Sequence, residues 1–576
     1  MDWLTRLLMA IDAVKTQWNN KHKKSADDYY HLVSAVNDFT VKMNDGSMMS
    51  FFSLKGFAAM LSEAEQHGVA DTLQESLKGF FKERGYTLQL VDISDPSLTR
   101  RRLKKSMQPS FDELKNIGID SPVFIEDYLD FVASKTVWSD QYLVLQTSPL
   151  ANQNQKDKKA KETDEQKSMS SVIKNGMQTG VGNQSVFLSN DDMEVLALHE
   201  AFSSTAYTAF AKNGLLIKKM NVERGIKAQK EALYGDDCPE NWKPSFGQVF
   251  VEKKPQSNAG DKATVTEGPL VSQVVDQGGR EDTDSTGIFI FGDRYFTTFS
   301  LAIPQARSDK MKDYQALREL IPNKVGYMCS YRIESDPFST PEYRVENMYT
   351  TVSSIVPFTQ NAQIRDARRE VKNLHEAGEK LSGFLSMTIV LHAKDLAELK
   401  ANIKLVKKAI ASWNDAQFRG IEQDITQGLF ETLPGAIKRS ETTQVLESLS
   451  DIFYQSPIFC DAIMYETGYL HFLSEHGRPY PFEDQSSINI NFNVYCCGIS
   501  GSGKSTLLSM LNLALLAKAK ANPKLRGEMP FIFNVDFGKT SFGMVETLKL
   551  LIDQKKSYLF LTHEMTTGIE SSYNIH

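Results

Sequence analysis

The sequence predicts a mixed chain, an α+β domain up to about residue 445 and then the start of an α/β domain. Three observations carry this. Upstream, strand-like and helix-like stretches alternate, the pattern of an α+β domain with an antiparallel or mixed sheet. Downstream, Gly498-Ile499-Ser500-Gly501-Ser502-Gly503-Lys504-Ser505, followed by Thr506, fits the P-loop pattern G-x-x-x-x-G-K-[ST] at every fixed position. Its flanks agree: Ile488 to Cys497 alternates and then turns apolar, as a buried strand does, and Leu507 to Ala517 runs on without a breaker, as a helix does.

Strand, glycine loop and helix in that order form a phosphate site. The glycines let backbone N–H groups turn inward, and the helix N-terminus adds partial positive charge. In this pattern Lys504 reaches the β- and γ-phosphates of ATP, and the Ser505 hydroxyl is a ligand of the accompanying Mg²⁺. A chance match in a Gly/Ser loop would not bring these flanks with it.

The chain of 576 residues is long enough for several domains, at roughly 100–200 residues each. Hydrophobic residues are 41% and charged residues 24%, the balance of ordinary globular material. A net charge of −7 argues against a uniformly basic nucleic-acid binder. The five cysteines (Cys238, Cys329, Cys460, Cys496 and Cys497) include no C-x-x-C pair. An odd, irregular set argues against a disulfide framework and fits a reducing cytoplasm. Cys496-Cys497 reads as core of the P-loop strand. No apolar run reaches the ~18 residues of a spanning helix. Asp2, Arg6 and Asp12 interrupt any signal-peptide core.

In order along the chain, residues 1–30 hold an amphipathic helix over 1–20, with Trp3, Leu4, Leu7, Leu8, Ile11 and Val14 on one face. Such a stripe packs on a core or lies on a membrane surface. Residues 31–445 read as the mixed domain. Asn44-Asp45-Gly46 is a turn, Ser47 to Leu54 a strand, 57–84 helical, Tyr86 to Val91 a strand. Arg100-Arg101-Arg102-Leu103-Lys104-Lys105 is a compact basic run, read as a solvated helix face or as charge for lipid phosphates, nucleic acid or an acidic partner. Gln141 to Thr147 is a strand. The polar stretches 149–185 and 253–285 read as flexible insertions outside the core. Ile288 to Phe299 reads as a hairpin turning at Gly292-Asp293. Residues 361–381 form a charged helix and Met387 to His392 a strand. Asp395 caps a helix carrying Leu396, Leu399, Ile403, Val406 and Ile410. Leu433-Pro434-Gly435 breaks the pattern, and the domain boundary falls between about 436 and 465. Residues 446–576 begin the nucleotide domain.

A mixed domain, then Leu433-Pro434-Gly435, then Gly477-Arg478-Pro479, then a P-loop of the form G-x-S-G-S-G-K-S-T resembles the large cytoplasmic ATPases of type IV secretion and conjugation systems. Within that VirB/TraC/TrbE superfamily the chain is most similar to the DotO/IcmB and TraU type and more distant from the TraC and TrbE type. The likeness covers most of 30–576 in outline. It implies a RecA-like nucleotide domain, ATP and Mg²⁺ as cofactors, and ATP hydrolysis that powers channel assembly or export of protein or protein–DNA substrates. It further implies a homo-oligomer (a hexamer, or dimers in a hexameric array) at the cytoplasmic face of the bacterial inner membrane. Partners would be other cytoplasmic ATPases and inner-membrane channel subunits, with peripheral contact to the membrane.

In such motors a second strand ends in an acid. Pro530 to Asp536 matches that place, with Asp536 as support for Mg²⁺ or the phosphate loop, or as a turn residue. A Walker B strand is harder to find; Tyr558 to Glu564 imitates it weakly, with Glu564 set off from the apolar run. The chain therefore reads as the N-terminal part of a longer ATPase, with catalytic acid and arginine finger beyond His576. Two further readings stand beside the motor: a nucleotide-binding scaffold of the channel without turnover, and an unrelated P-loop enzyme such as a small-molecule kinase.

Overall fold

A computed structural model describes residues 25–57, 59–118, 122–153, 177–179, 186–246, 269–282, 287–303, 313–339, 359–413, 417–420, 425–460, 462–474, 477–483, 495–499 and 501–518, with 543, 545, 546 and 549. It is mixed α/β and built around a large antiparallel sheet. The chain divides into two units. The first is Met1–Leu98 with Trp138–Ala462, the second Thr99–Val137 with Ile463–His576. The division is thus not one cut along the chain.

The strands of the first unit are β1 (Leu32–Asn37), β2 (Thr40–Met43), β3 (Met48–Phe57), β4 (Tyr86–Ser94), β5 (Ser139–Thr147), β6 (Met177–Thr179), β7 (Val186–Leu188), β8 (Leu215–Met220), β9 (Gly279–Glu281), β10 (Phe289–Phe291), β11 (Arg294–Ile303), β12 (Gly326–Glu334), β13 (Ser382–Ala393), β14 (Gln417–Gly420) and β15 (Val445–Ser448). Thirteen make one sheet, ordered β1-β2-β3-β5-β4-β12-β13-β11-β10-β9, with β8 beside β3, β14 beside β11 and β15 beside β13. Ribbon β6–β7 stands apart. The hairpin expected at Gly292-Asp293 pairs Phe291 with Arg294. Asp395 caps its helix, accepting from the Glu398 N–H at 2.9 Å.

Successive side chains of a strand point to opposite faces, so a strand buried on both faces is apolar at both parities. β12 shows this. Tyr327, Cys329, Tyr331 and Ile333 join one core, with Leu73, Leu77, Phe81 and Leu399 from the helices Glu63–Phe81 and Leu396–Ser412. Met328 joins the other, with Ile226 from the helix Val222–Tyr234 and Leu429 and Phe430 from the helix Ile425–Thr432. At inward positions of the second face the sheet also carries polar groups, Gln89 on β4, Gln146 on β5, and Ser330 and Arg332 on β12, all buried.

These polar groups hold the segment from Leu433 to Thr442. The segment is irregular, yet Leu433, Ala436 and Ile437 are fully buried. A buried chain without a ladder must find partners for its N–H and C=O groups elsewhere. Gln89 Nε2 donates to the Glu431 carbonyl at 2.9 Å, and its Oε1 accepts from the Gly435 N–H at 2.8 Å. Gln229 donates to the Pro434 carbonyl at 2.6 Å and accepts from the Tyr30 hydroxyl at 2.7 Å. The His31 N–H donates to Ala436 O at 2.9 Å, and His31 Nδ1 accepts from the Lys438 N–H at 3.1 Å. Gly435 has φ +69°, and a Cβ there would lie 2.3 Å from Met49 Sδ.

The stretch 253–285, expected outside the core, is core in part. Leu270, Val271 and Val274 of the helix Leu270–Val274 are buried against Ile226 and Leu233. Their spacing puts three apolar side chains on one side of a short turn, a local signal that the polar average of the stretch conceals. Of 149–185, residues 149–153 are helical with Ala151 buried, and 177–179 form β6. The helix over 1–20 lies outside the described residues.

In the second unit, Pro96–Asn116 (whose first residues belong to the first unit) and Pro122–Lys135 are joined by hairpin β16 (Leu470–Leu473) and β17 (Pro479–Phe482). Ser106 Oγ lies 2.6 Å from His471 Nε2, and the Val137 N–H donates to Gly477 O at 3.0 Å. Burial of the His471 ring holds it down at about 4, neutral at ordinary pH.

Candidate functional site

The helix Lys504–Ala514 begins directly after Gly503, which sits at φ +86°; Gly501 sits at φ +80°. Two left-handed residues on either side of Ser502 fold the chain back on itself, a conformation glycine adopts without steric cost. The Ser502 N–H and hydroxyl both donate to Ile499 O, at 3.3 and 2.8 Å, and close the turn. Lys504 reaches back across it, its Nζ donating to Gly498 O at 2.7 Å and Ile499 O at 2.6 Å. The N–H groups of a helix's first turn have no partner within the helix. Here they belong to Lys504, Ser505 and Thr506, and Ser505 and Thr506 are exposed. No atom of the described residues lies within 4 Å of a Cβ built on Gly501 or Gly503, chain neighbours aside.

A cation, helix-start N–H groups and an exposed hydroxyl on one open turn suit a phosphate chain and its metal ion. Lys504 would hold phosphate oxygens on release of its two carbonyls, and Ser505 would supply an oxygen to Mg²⁺. Among the described residues no cluster of His, Cys, Asp and Glu could hold a metal by itself.

The other end of this helix is fixed. Leu511, Ala514, Leu515 and Ala517 pack with Tyr469, Leu470, Phe472 and Phe482 of the β16–β17 hairpin and with Leu114. Lys518 Nζ lies 3.6 Å from Glu483 Oε1 and 5.5 Å over the Tyr469 ring. Leu508 and Met510 remain nearly half exposed.

Of the expected site residues, Gly498, Ile499, Gly501, Ser502, Gly503, Lys504, Ser505 and Thr506 come together in this turn and helix start. Ser500, Asp536 and Glu564 lie outside the described residues, as does the stretch 488–494. Cys496 and Cys497 are corrected: they are exposed and not in a strand, as is Tyr495. A core strand needs neighbours in the sheet, and no described strand pairs with 495–497. The basic run is partly neutralised. Arg100 pairs with Glu126 and, at 2.6 Å, with Asp130, and Lys104 lies 3.6 Å from Glu126.

Several buried polar sets are visible only in three dimensions. Ser50 Oγ lies 2.8 Å from His199 Nε2, but the other ring nitrogen faces Thr147 Oγ1 at 3.1 Å and not a carboxylate. Burial keeps that ring neutral, down at about 3, and the set joins helix to sheet without a nucleophile's access to solvent. Asp92 Oδ2 accepts from Tyr314 at 2.8 Å and Tyr327 at 3.1 Å. Asp95 pairs with Arg294 at 2.8 Å; burial alone would raise its carboxyl, but Arg294 and His392 hold it at about 2. A polar residue at an inward strand position is the one signal the sequence offers for such groups. Neither protein-family models nor curated proteins give a match to this chain.

Proposed function

We propose that the chain is the nucleotide-binding part of an ATPase motor subunit of a bacterial type IV secretion or conjugation system, with a RecA-like nucleotide domain in the C-terminal portion. It works as an oligomer at the cytoplasmic face of the inner membrane and powers channel assembly or substrate export. One observation supports the nucleotide half of this reading above all others: Lys504 folds over a turn whose two glycines are left-handed and which opens directly into a helix. The secretion half rests on the order of the Leu433-Pro434-Gly435, Gly477-Arg478-Pro479 and P-loop segments. Lys504 and the N–H groups of residues 504–506 bind the phosphates, and Ser505 binds Mg²⁺.

The test is titration calorimetry of Mg·ATP against the chain and its Lys504→Ala variant. Loss of binding in a folded variant supports the site; unchanged affinity overturns it. Phosphate release that depends on Lys504 separates a motor from a scaffold without turnover, and copurification with inner-membrane channel subunits separates both from a small-molecule kinase.

A further inference from the structure

We propose that the segment Leu433 to Thr442 is a proton-operated latch, closed while Glu431 carries a proton and loosened when Glu431 ionises, because Glu431 and Glu334 share a single buried guanidinium. That guanidinium is Arg332, 1% exposed. Its Nη2 donates to Gln146 Oε1 at 3.0 Å and Lys438 O at 2.6 Å, and Nη1 to Ile437 O at 3.4 Å. Its Nε lies 3.5 Å from Glu334 Oε1. Nη1 and Nη2 are thus taken by the latch backbone and Gln146, while Nε makes no hydrogen bond among the described residues and meets Glu334 as an ion pair alone.

Glu431 is fully buried. One oxygen accepts from the Ser440 hydroxyl and, at 2.9 Å, from Thr442; Oε2 has no partner among the described residues. Glu334 holds the same residue, accepting from the Ser440 N–H at 3.4 Å. Two carboxylates at one cation favour a proton on the one with less solvent. Burial, with Glu334 adding to it, pushes Glu431 up to about 7 against the opposing pull of Ser440, Thr442 and Arg332. The groups around it are accounted for strand by strand. β12 brings Arg332 and Glu334, and β4 the neutral amide of Gln89. Arg294 on β11 and His392 on β13 are turned to Asp95, and Thr388 on β13 meets Thr442 at 3.4 Å. Asp45 adds a weaker negative field at Arg332.

The folded value lies above the ordinary one, so closure is fully favoured below the open-state value of 4.5 and is weakened as pH rises toward 7. Ionisation places a second negative charge on the buried face. Opening then releases the carbonyls held by Gln89, Gln229 and Arg332.

Hydrogen exchange of the full chain, followed by mass spectrometry between pH 5 and 8 and corrected for intrinsic rates, tests this. In peptides covering 433–442 the opening constant should rise by up to about tenfold per pH unit toward pH 7 and level off above it. Glu431→Gln should remove that slope, and Glu334→Gln, which frees Arg332 for Glu431, should move the plateau to lower pH. A flat wild-type profile overturns the latch. So does a Glu431→Gln profile that follows wild type, or, where that variant does not fold, an unmoved plateau in Glu334→Gln.

Discussion

The two loops that the sequence singles out are both irregular, and both turn on left-handed glycines, yet they solve opposite problems. The segment around Leu433-Pro434-Gly435 is buried, and side chains from β4, β5, β12, the helix Val222–Tyr234 and His31 beside β1 satisfy its backbone. The described residues of the turn, 498–499 and 501–503, are exposed, and among the described residues Ser502 and Lys504 engage it. The first is held by groups far away in sequence. The second is held by local groups, and its helix-start donors meet no partner among the described residues. Irregular backbone in the core thus draws on distant side chains for its polar groups, whereas at the surface local ones suffice.

The sharpest way to break this contrast is Arg332→Met. It leaves Ile437 O and Gln146 Oε1 without their donor, Lys438 O with Gln146 Nε2 alone, and Glu334 without its cation. Removing one partner of a buried charged set costs about 3–5 kcal/mol. Denaturant unfolding should show that loss, and a cost below about 1 kcal/mol, the size of a surface ion pair, would mean the segment is not held as described. Gly435→Ala comes next. It meets both φ +69° and Met49 Sδ at 2.3 Å, so about 2–4 kcal/mol is expected. Gly501→Ala has a similar φ of +80° but open space around it, so about 1 kcal/mol of local strain is expected. Equal costs at the two glycines would erase the distinction between the loops. Smallest of all, Lys504→Ala should leave the melting temperature within the effect of about 0.5 kcal/mol typical of surface changes. A clear drop would show the lysine bracing the fold.

What was legible in the sequence follows the same divide. The P-loop is read from nine neighbouring residues, because glycine conformation, helix start and lysine reach are all local. The long strands and the helices Glu63–Phe81 and Leu396–Ser412 are legible because their periodicity reports burial. Leu433-Pro434-Gly435 shows in the sequence as a break in pattern. That it is core is legible only from the apolar Leu433, Ala436 and Ile437 around the glycine. Its partners were not legible, because Gln89 lies 346 residues from Gly435 and nothing in either stretch names the other. Cys496 and Cys497 misled for a related reason: apolar composition describes a strand's capacity for burial, whereas burial itself depends on neighbours in the sheet.

The second unit draws its residues from two distant places in the chain, and this sets a timetable for synthesis. The helices Pro96–Asn116 and Pro122–Lys135 emerge from the ribosome long before the hairpin Leu470–Phe482 and the helix Lys504–Ala514 that complete their unit. At about 5–20 residues per second the interval is roughly 15–70 s. Throughout it, Leu114, Ser106 and Tyr128 wait without the hairpin they meet in the finished unit. The nascent chain in that window is a natural client for a chaperone that shields apolar helices, and pausing translation between the two segments would lengthen its exposure.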